Sequence, residues 1–497
     1  MIPLSNRTLH HLPASVAVPA YDRSTLRGGI VHFGVGNFHR VHLALYVDDA
    51  LNRSFDPAWG IVGVGPTDGP AARAKAEAYA AQDGLYTVTE CDPDGTATVR
   101  VIGAMIDYLH APAEPEAVLA RLAHPDCRIV SLTITEGGYN LDESDGSFRL
   151  GDPDVAHDLE GGPPRTVFGL VVEALARRRA AGLPAFTIAS CDNLRGNGDT
   201  SRKAFVGFAK ARDPGLAAWI EAEVDFPNSM VDRIAPQVDE ATRRALNEAS
   251  GVDDRLPAKA ERYNDWVSED RFRYGRPDLA AVGVRFTDDV PSYLAMKGRM
   301  INASHMLLAY PGVLLGYRLV HEAMRDPRLD RLVATFLDRD VIPYVSPPPG
   351  VEVAPYKKMI AERFGNPAIG DQILRVAGDG AAKLPIFHGK TLATLLAEGA
   401  DMKREAFLLA CFARYLKARD DTSVRDDRGN AFTVFEPGLD DADWAKVASP
   451  DPVEVLRTRP FAPIGLAYDP AFVAAYRRYA SGLVERGAAA TLAEVLN

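Results

Sequence analysis

The run Gly29-Ile-Val-His-Phe33, Gly34-Val-Gly36, Asn37-Phe38-His39-Arg40 leaves this chain few folds to choose from. Its first five residues read as a buried strand and the two glycines as a tight turn. Val41, Leu45, Tyr46 and Leu51 then form the apolar stripe of a helix. A strand that passes through a Gly-rich turn directly into a helix opens a βαβ unit on a parallel sheet. In dinucleotide-binding units of this kind, glycines let the backbone approach a pyrophosphate seated at the helix N-terminus. Gly34 and Gly36 hold the first two positions of that fingerprint. His39 stands where a third glycine is usual, so the match is partial.

The α/β pattern continues. Residues 59–64 read as a second strand, with Gly65-Pro-Thr-Asp68 as its exit. An acid just past the second strand bonds the adenosine ribose in such folds, and its charge disfavours the extra phosphate of NADP. Asp68 is the candidate; an N-cap for a helix from residue 71 is the competing reading. Residues 85–90 and 98–102 flank Asp92-Pro-Asp-Gly95 as a β-hairpin. A helix over 114–123 leads to a strand over 129–134, whose exit, Thr135-Glu136-Gly-Gly-Tyr139, falls at the carboxyl edge where open α/β sheets bind ligands. Residues 142–164, rich in Asp, Gly and Pro, read as a long loop. After a helix over 166–181, the strand 185–190 ends in Cys191-Asp-Asn193. There the Asn193 amide either aims at a ligand oxygen or caps the turn. Asp232 and Arg233 lie in a stretch with no clean period and read as a surface pair, and 282–286 as a last strand.

Beyond residue 288 strand patterns nearly vanish, and helices are expected over 292–310, 313–325, 329–337, 400–419 and 470–486. The expected organisation is therefore an α/β nucleotide-binding domain over 1–288 and a mainly α-helical domain over 289–497. The helix near 291–310 carries apolar residues at Tyr293, Met296, Met300, Ala303, Leu307 and Tyr310, with Leu294, Ile301 and Leu308 as a second row. Such a helix is buried on most sides, yet it also holds Lys297, Asn302 and His305. At about 100° per residue, Lys297 and His305 stand roughly 80° apart, with Asn302 about 60° from His305. On spacing alone the three are either a satisfied structural network or an arc of functional groups. Arg375 and Lys383, around a Gly-containing break, either hold hydroxyls, a carboxylate or a phosphate, or are solvated surface charges.

Charge narrows the function. With 56 Lys and Arg against 67 Asp and Glu, the net charge of -11 argues against a nucleic-acid partner and for small-molecule chemistry. Four scattered cysteines with no zinc spacing disfavour a disulfide scaffold or structural metal and fit a reducing compartment. No signal-peptide pattern and no membrane-length apolar run stand in the sequence, so the expected location is the cytoplasm.

The motifs Gly34-Val-Gly36-Asn37-Phe38-His-Arg40-Val-His42, Thr133-Ile-Thr-Glu-Gly-Gly-Tyr139, Ser190-Cys-Asp-Asn193 and Lys297-x4-Asn302-x2-His305 occur in this order. Together the series resembles the polyol-specific long-chain dehydrogenase/reductase family, most closely its mannitol 2-dehydrogenase group, from about residue 25 to the C-terminus. The resemblance implies an expanded Rossmann-type N-terminal domain binding NAD, a mainly helical substrate domain, no metal and a monomer. The implied cofactor contacts are Gly34, Gly36, Asn37, Phe38, Arg40, Asp68 and Glu136. Lys297 would be the general base, with Asn193 and Asn302 polarising the reacting oxygen and His305 completing the catalytic set. His305 would also join Asp232, Arg375 and Lys383 in holding the remaining hydroxyls. The implied reaction is oxidation of a polyol at a secondary hydroxyl to a ketose, with D-mannitol and D-fructose as the leading pair. A sugar-acid keto reductase such as fructuronate reductase, or a D-arabinitol or sorbitol dehydrogenase, is the alternative. A lysine at its reference pKa of about 10.4 is too protonated to act as a base near pH 7, so lowering it by ~3 units asks for roughly 4 kcal/mol from its surroundings. Leu294 stands three residues before Lys297, where members of this group often carry a proton-relaying Glu.

Overall fold

The computed structural model describes residues 1–142 and 145–497; the side chain of Glu136 lies outside that description. Two compact units form, one of Met1–Asp92 with Thr96–Pro291, the other of Pro93–Gly95 with Ser292–Asn497.

The N-terminal unit carries, in chain order, β1 (Ile30–Phe33), α1 (Asn37–Val41), α2 (Leu43–Arg53), β2 (Ile61–Gly65), α3 (Pro70–Ala81), β3 (Tyr86–Cys91), β4 (Ala97–Ile102), β5 (Met105–His110), α4 (Pro115–Ala123), β6 (Ile129–Leu132), α5 (Val167–Ala180), β7 (Thr187–Ser190), α6 (Asn197–Arg212), β8 (Ser229–Asp232), β9 (Ala258–Glu261) and β10 (Asp265–Ser268). Five strands form a sheet in the order β5-β2-β1-β6-β7, every neighbour parallel. Counting only these five along the chain gives 3-2-1-4-5, the dinucleotide-binding order, with its switch point between β1 and β6. Apolar side chains leave both faces, which is why these strands read as continuous apolar runs. Val31, Phe33, Val130, Leu132 and Ile188 pack with Leu122 of α4 and Phe205 of α6. On the other face Ile30, Ile61 and Ile129 pack with Leu45 and Leu51 of α2. The expected hairpin is present as β3 and β4, antiparallel, and β9 joins it alongside β3.

Three local expectations change. Ser229–Asp232 is a buried strand paired with β10, although the alternation of apolar and acidic residues hid it. The expected long loop contains a short helix, Pro153–Leu159, whose N-terminus Asp152 caps; Glu143 and Ser144 of that loop lie outside the described residues. The last strand shrinks to Arg285–Phe286, because a 3-10 turn over Ala280–Val282 ends at Gly283 with φ +102°.

In the C-terminal unit, described from α7 (Val290–Lys297), which begins at the end of the first unit, the main helices are α8 (Ala303–Leu314), α9 (Val353–Phe364), α10 (Ile373–Ala377), α11 (Gly380–Glu398), α12 (Lys403–Lys417) and α13 (Pro470–Glu485). A single core holds them, built on Met300, Leu307, Leu308, Phe407, Phe412, Tyr476 and their neighbours. The expected helix over 313–325 is divided: α8 runs on to Leu314, Gly316 turns the chain at φ +89°, and a one-turn helix resumes at Val320–Met324.

Candidate active site

In the N-terminal unit Gly34, Gly36, Asp68, Glu136 and Asn193 follow the carboxyl ends of β1, β2, β6 and β7, while Asn37, Phe38 and Arg40 lie in α1 and Asp232 ends β8. The turn after β1 requires glycine: Gly34 has φ +88°, and a Cβ there would lie 2.1 Å from the carbonyl oxygen of Thr133 at the end of β6. Thr133 Oγ1 donates back to Gly34 O at 2.6 Å, joining the two loops across the switch point. Beneath them His32 and His39 stack at 3.5 Å, so the residue in the third-glycine position fills space between loop and sheet. Burial holds His32 down at about 3 and His39 well below the usual imidazole value, which keeps both neutral. Lys75 of α3 donates to the carbonyl of Val35 within the turn. Burial, with Arg40 adding to it, pulls Lys75 down to about 8.

Arg40 and Asn37 are bound to each other and to the unit behind them. Arg40 donates to Asn37 Oδ1 at 2.5 Å and to Leu256 O at 2.6 Å, and Asn37 Nδ2 donates to Pro236 O at 3.1 Å. Phe38 stacks on His42 at 4.6 Å. Asp68 is not an N-cap: Gly69 precedes α3 without any side-chain cap. Its carboxylate, 61% exposed, pairs with Arg73 at 2.6 Å.

Sequence reasoning missed the residue that ties two of its own motifs together. Asp192, buried at the exit of β7, accepts from Ile134 N at 3.1 Å, Thr135 N at 2.9 Å and Tyr139 Oη at 2.6 Å. Tyr139 Oη also lies 2.6 Å from Ser190 Oγ. Thr135 has φ +66°, a conformation a non-glycine residue rarely takes, and Asp192 fixes its amide there. The loops bearing Glu136 and Asn193 are thus held together by one carboxylate, whose signal was its place inside the Ser190-Cys-Asp-Asn193 motif. The surface-pair reading of Asp232 and Arg233 is overturned. Both are buried, with Asp232 opposite Asp265 in the β8–β10 ladder. The Arg233 guanidinium donates to Glu261 O and pairs with Glu90 at 2.5 Å.

The second set of groups belongs to the C-terminal unit. The helix over 291–310 is not one α-helix: α7 ends at Lys297, Gly298–Asn302 is a π turn, and α8 begins at Ala303. Ala303 N donates to Gly298 O, an i→i+5 bond that inserts one extra residue into the turn. The angles drawn from 100° per residue therefore do not hold across Lys297, Asn302 and His305. The buried stripe does hold, since Met296, Met300, Ala303, Leu307 and Tyr310 are all buried, and so is Lys297 at 5% exposure. Asn302, His305 and Leu294 are half-buried.

Asp371, also missed from sequence, brings two expected residues together. Its carboxylate takes Arg375 at 2.7 and 2.9 Å through Nη2 and at 3.0 Å through Nε, and lies 3.6 Å from His305 Nε2. His305 stacks on Phe364 of α9 at 4.4 Å. Lys383, in the first turn of α11, donates to Gly378 O at 2.6 Å. That helix approaches α8 closely: a Cβ on Gly380 would sit 2.0 Å from Tyr310 Oη. Among the described residues, no group of three or more His, Cys, Asp and Glu is placed to hold a metal ion. No helix among them is long and apolar enough to cross a membrane.

Comparison with known proteins meets this geometry on both units. The family model of the mannitol dehydrogenase Rossmann domain matches residues 28–281, and that of the mannitol dehydrogenase C-terminal domain matches residues 289–476. This chain belongs to the mannitol dehydrogenase family. The first match spans Gly34 to Asp232 and the second spans Lys297 to Lys383, so each family domain includes the groups described for its unit. The polyol:NADP oxidoreductase of Gluconobacter oxydans (strain 621H) is 48% identical over 452 residues, 91% of either chain. A D-sorbitol dehydrogenase in substrate-free form matches with a TM-score of 0.90 at 44% identity, over 98% of this chain and 100% of that one. The Pseudomonas fluorescens mannitol 2-dehydrogenase, solved as a ternary complex with NAD and D-mannitol, matches with a TM-score of 0.88 at 41% identity, over 100% of this chain and 99% of the other.

Proposed function

We propose that this protein is an NAD-dependent polyol dehydrogenase that oxidises a secondary hydroxyl to a ketone, with D-mannitol and D-fructose as its leading pair. The observation that carries the reading is Lys297: a lysine 5% exposed, at the end of a helix, directly before a π turn whose last residue is Asn302. Burial of that depth works against a charged ammonium and leaves an amine able to take a proton. Lys297 then removes the hydroxyl proton of the substrate. Asn302 and Asn193 donate amide hydrogens to the oxygen as its charge grows, without adding a second titrating group. His305, fixed by Phe364 and Asp371, and Lys383 and Asp232 hold the remaining hydroxyls. When bound, NAD supplies the hydride acceptor. Gly34 and Gly36 fit it, because neither carries a Cβ to block a close backbone approach. Asn37, Phe38, Arg40, Asp68 and Glu136 complete the proposed cofactor side, and the assignment of cofactor to residues 1–288 and substrate to 289–497 is part of the proposal.

Two choices are finer. Arg375 is already neutralised by a bidentate Asp371, which favours hydroxyls over a carboxylate and so a polyol over a sugar acid. The Asp68 carboxylate at the end of β2 favours NAD, whereas a relative of 48% identity is named for NADP, which makes the cofactor the point to measure. The test is reduced-cofactor absorbance with D-mannitol, D-arabinitol, D-sorbitol and D-gluconate, each with NAD and with NADP. The proposal expects polyol-dependent NADH and little signal with gluconate. No absorbance change under any pairing would sink the enzyme reading, and a clear NADP preference would remove the role given to Asp68.

A further inference from the structure

The π turn between Lys297 and Ala303 is held from behind by a buried polar layer that the reaction itself does not use. His388, in the middle of α11, is fully buried, and its two ring nitrogens face two acceptors. Nε2 lies 3.1 Å from the carbonyl oxygen of Ala303, and Nδ1 lies 3.0 Å from both carboxylate oxygens of Glu405 on α12. A carbonyl oxygen can only accept, so Nε2 carries a hydrogen and donates it to Ala303. Glu405 takes up the other side of the ring and fixes its orientation, as a carboxylate behind an imidazole does in many sites. Ala303 is the residue whose own amide closes the π turn on Gly298.

The same helix face grips the turn a second time. Thr391, one turn after His388, accepts from Arg299 Nε at 3.2 Å, and Arg299 Nη1 donates to Tyr344 O at 2.6 Å. Next to Glu405, Arg404 forms a buried bidentate pair with Asp340 at 2.5 and 2.6 Å. Asp340 lies in a second π turn, Leu337–Val341. Burial raises Asp340 to about 6 despite that pair, so the layer costs free energy as well as contributing it. An expensive polar layer behind an irregular turn needs a reason. Relaxing the turn to a regular α-helix would swing Lys297 relative to Asn302 by part of the ~100° that one residue subtends.

We propose that His388, oriented by Glu405, is a positioning residue: through Ala303 O it keeps Lys297 and Asn302 in π geometry, and it does not touch the substrate. The inference rests on the roles given above to Lys297 and Asn302. Its test compares His388→Gln with His388→Asn in the full-length protein. Glutamine places an NH2 near the Nε2 position and can still reach Ala303 O; asparagine places one near Nδ1 and cannot. The glutamine variant should keep at least a third of wild-type kcat with D-mannitol. The asparagine variant should lose tenfold or more in kcat, with KM for NAD unchanged, since the cofactor groups lie on the other unit. Amide exchange over residues 298–303, followed by mass spectrometry, should quicken at least tenfold in the asparagine variant alone. Equal kcat and equal exchange in the two variants would overturn the proposal. Should one variant misfold, the other is read against wild type: glutamine should leave exchange over 298–303 within threefold and asparagine should quicken it at least tenfold, and the opposite result overturns the proposal. Exchange needs no turnover, so an inactive wild type would refute the polyol reading while the exchange contrast still decides this one.

Discussion

The N-terminal unit presents Asp68, Glu136 and Asn193 on loops leaving the carboxyl ends of a regular parallel sheet, whereas the C-terminal unit presents Lys297 and Asn302 on a helix whose regularity fails between them. In the first case topology sets position. The 3-2-1-4-5 strand order brings the turns after β1 and β6 side by side, where Thr133 joins them, and Asp192 ties the exit of β6 to that of β7. In the second case topology only delivers a helix. The orientation of Lys297 against Asn302 depends on an i→i+5 turn that His388, Thr391 and Glu405 hold from outside. Side-chain hydrogen bonds therefore serve both units, and the first adds a backbone fit at Gly34 that admits no Cβ.

Glycine substitutions sharpen that contrast. Gly34→Ala puts a Cβ 2.1 Å from a main-chain oxygen at φ +88°, so the two loops must part. NADH affinity, read by fluorescence titration, should fall at least 100-fold, and stability should drop by about 3 kcal/mol or more. Retained affinity would show that the turn after β1 does not approach the cofactor. A smaller effect is expected at Lys75, which grips the Gly turn through the carbonyl of Val35. It sits at about 8 when folded against 10.5 for a free lysine. Between those pH values the unfolded chain binds more protons than the native one, so stability rises with pH across that window. In Lys75→Met the rise should flatten, by at most about 3 kcal/mol, in denaturant unfolding at pH 7.5 and pH 10. Identical slopes in both proteins would place Lys75 in water. Gly298→Ala should do least. Its Cβ would meet Phe387 at 3.5 Å, an ordinary contact, and alanine should stabilise the helix by up to about 1 kcal/mol. A large loss of Tm there would mean that the π turn, like the β1 turn, is governed by backbone fit.

What could be read from the sequence follows the same division. The strands at 30–33, 61–65, 129–132 and 187–190 and the hairpin between β3 and β4 were legible, because apolar runs bounded by Gly and Asp carry their own signal. The π turn left no trace: Met296, Met300, Ala303 and Leu307 keep the spacing of an ordinary helix, and the changed hydrogen-bond register is set by residues 85 or more positions away. Helix α11 was hidden as well, since Gly378, Gly380 and Pro385 all read as breakers. Gly380 is there to let α11 meet Tyr310, which only the packed structure shows. Asp192 and Asp371 looked like any acids; their importance lies in the amides and guanidinium that folding brings to them. Of the expected site residues, His305 and Arg375 proved to share one carboxylate, and Asp68 proved to be paired with Arg73.

The measurement that bears most directly on the account is turnover of D-mannitol by Lys297→Ala at neutral pH, with NADH binding followed in the same preparation. If Lys297 is the base, kcat should fall by about 10²–10⁴-fold while NADH affinity stays at the wild-type value. A variant that binds NADH normally and keeps more than a tenth of wild-type turnover would contradict it.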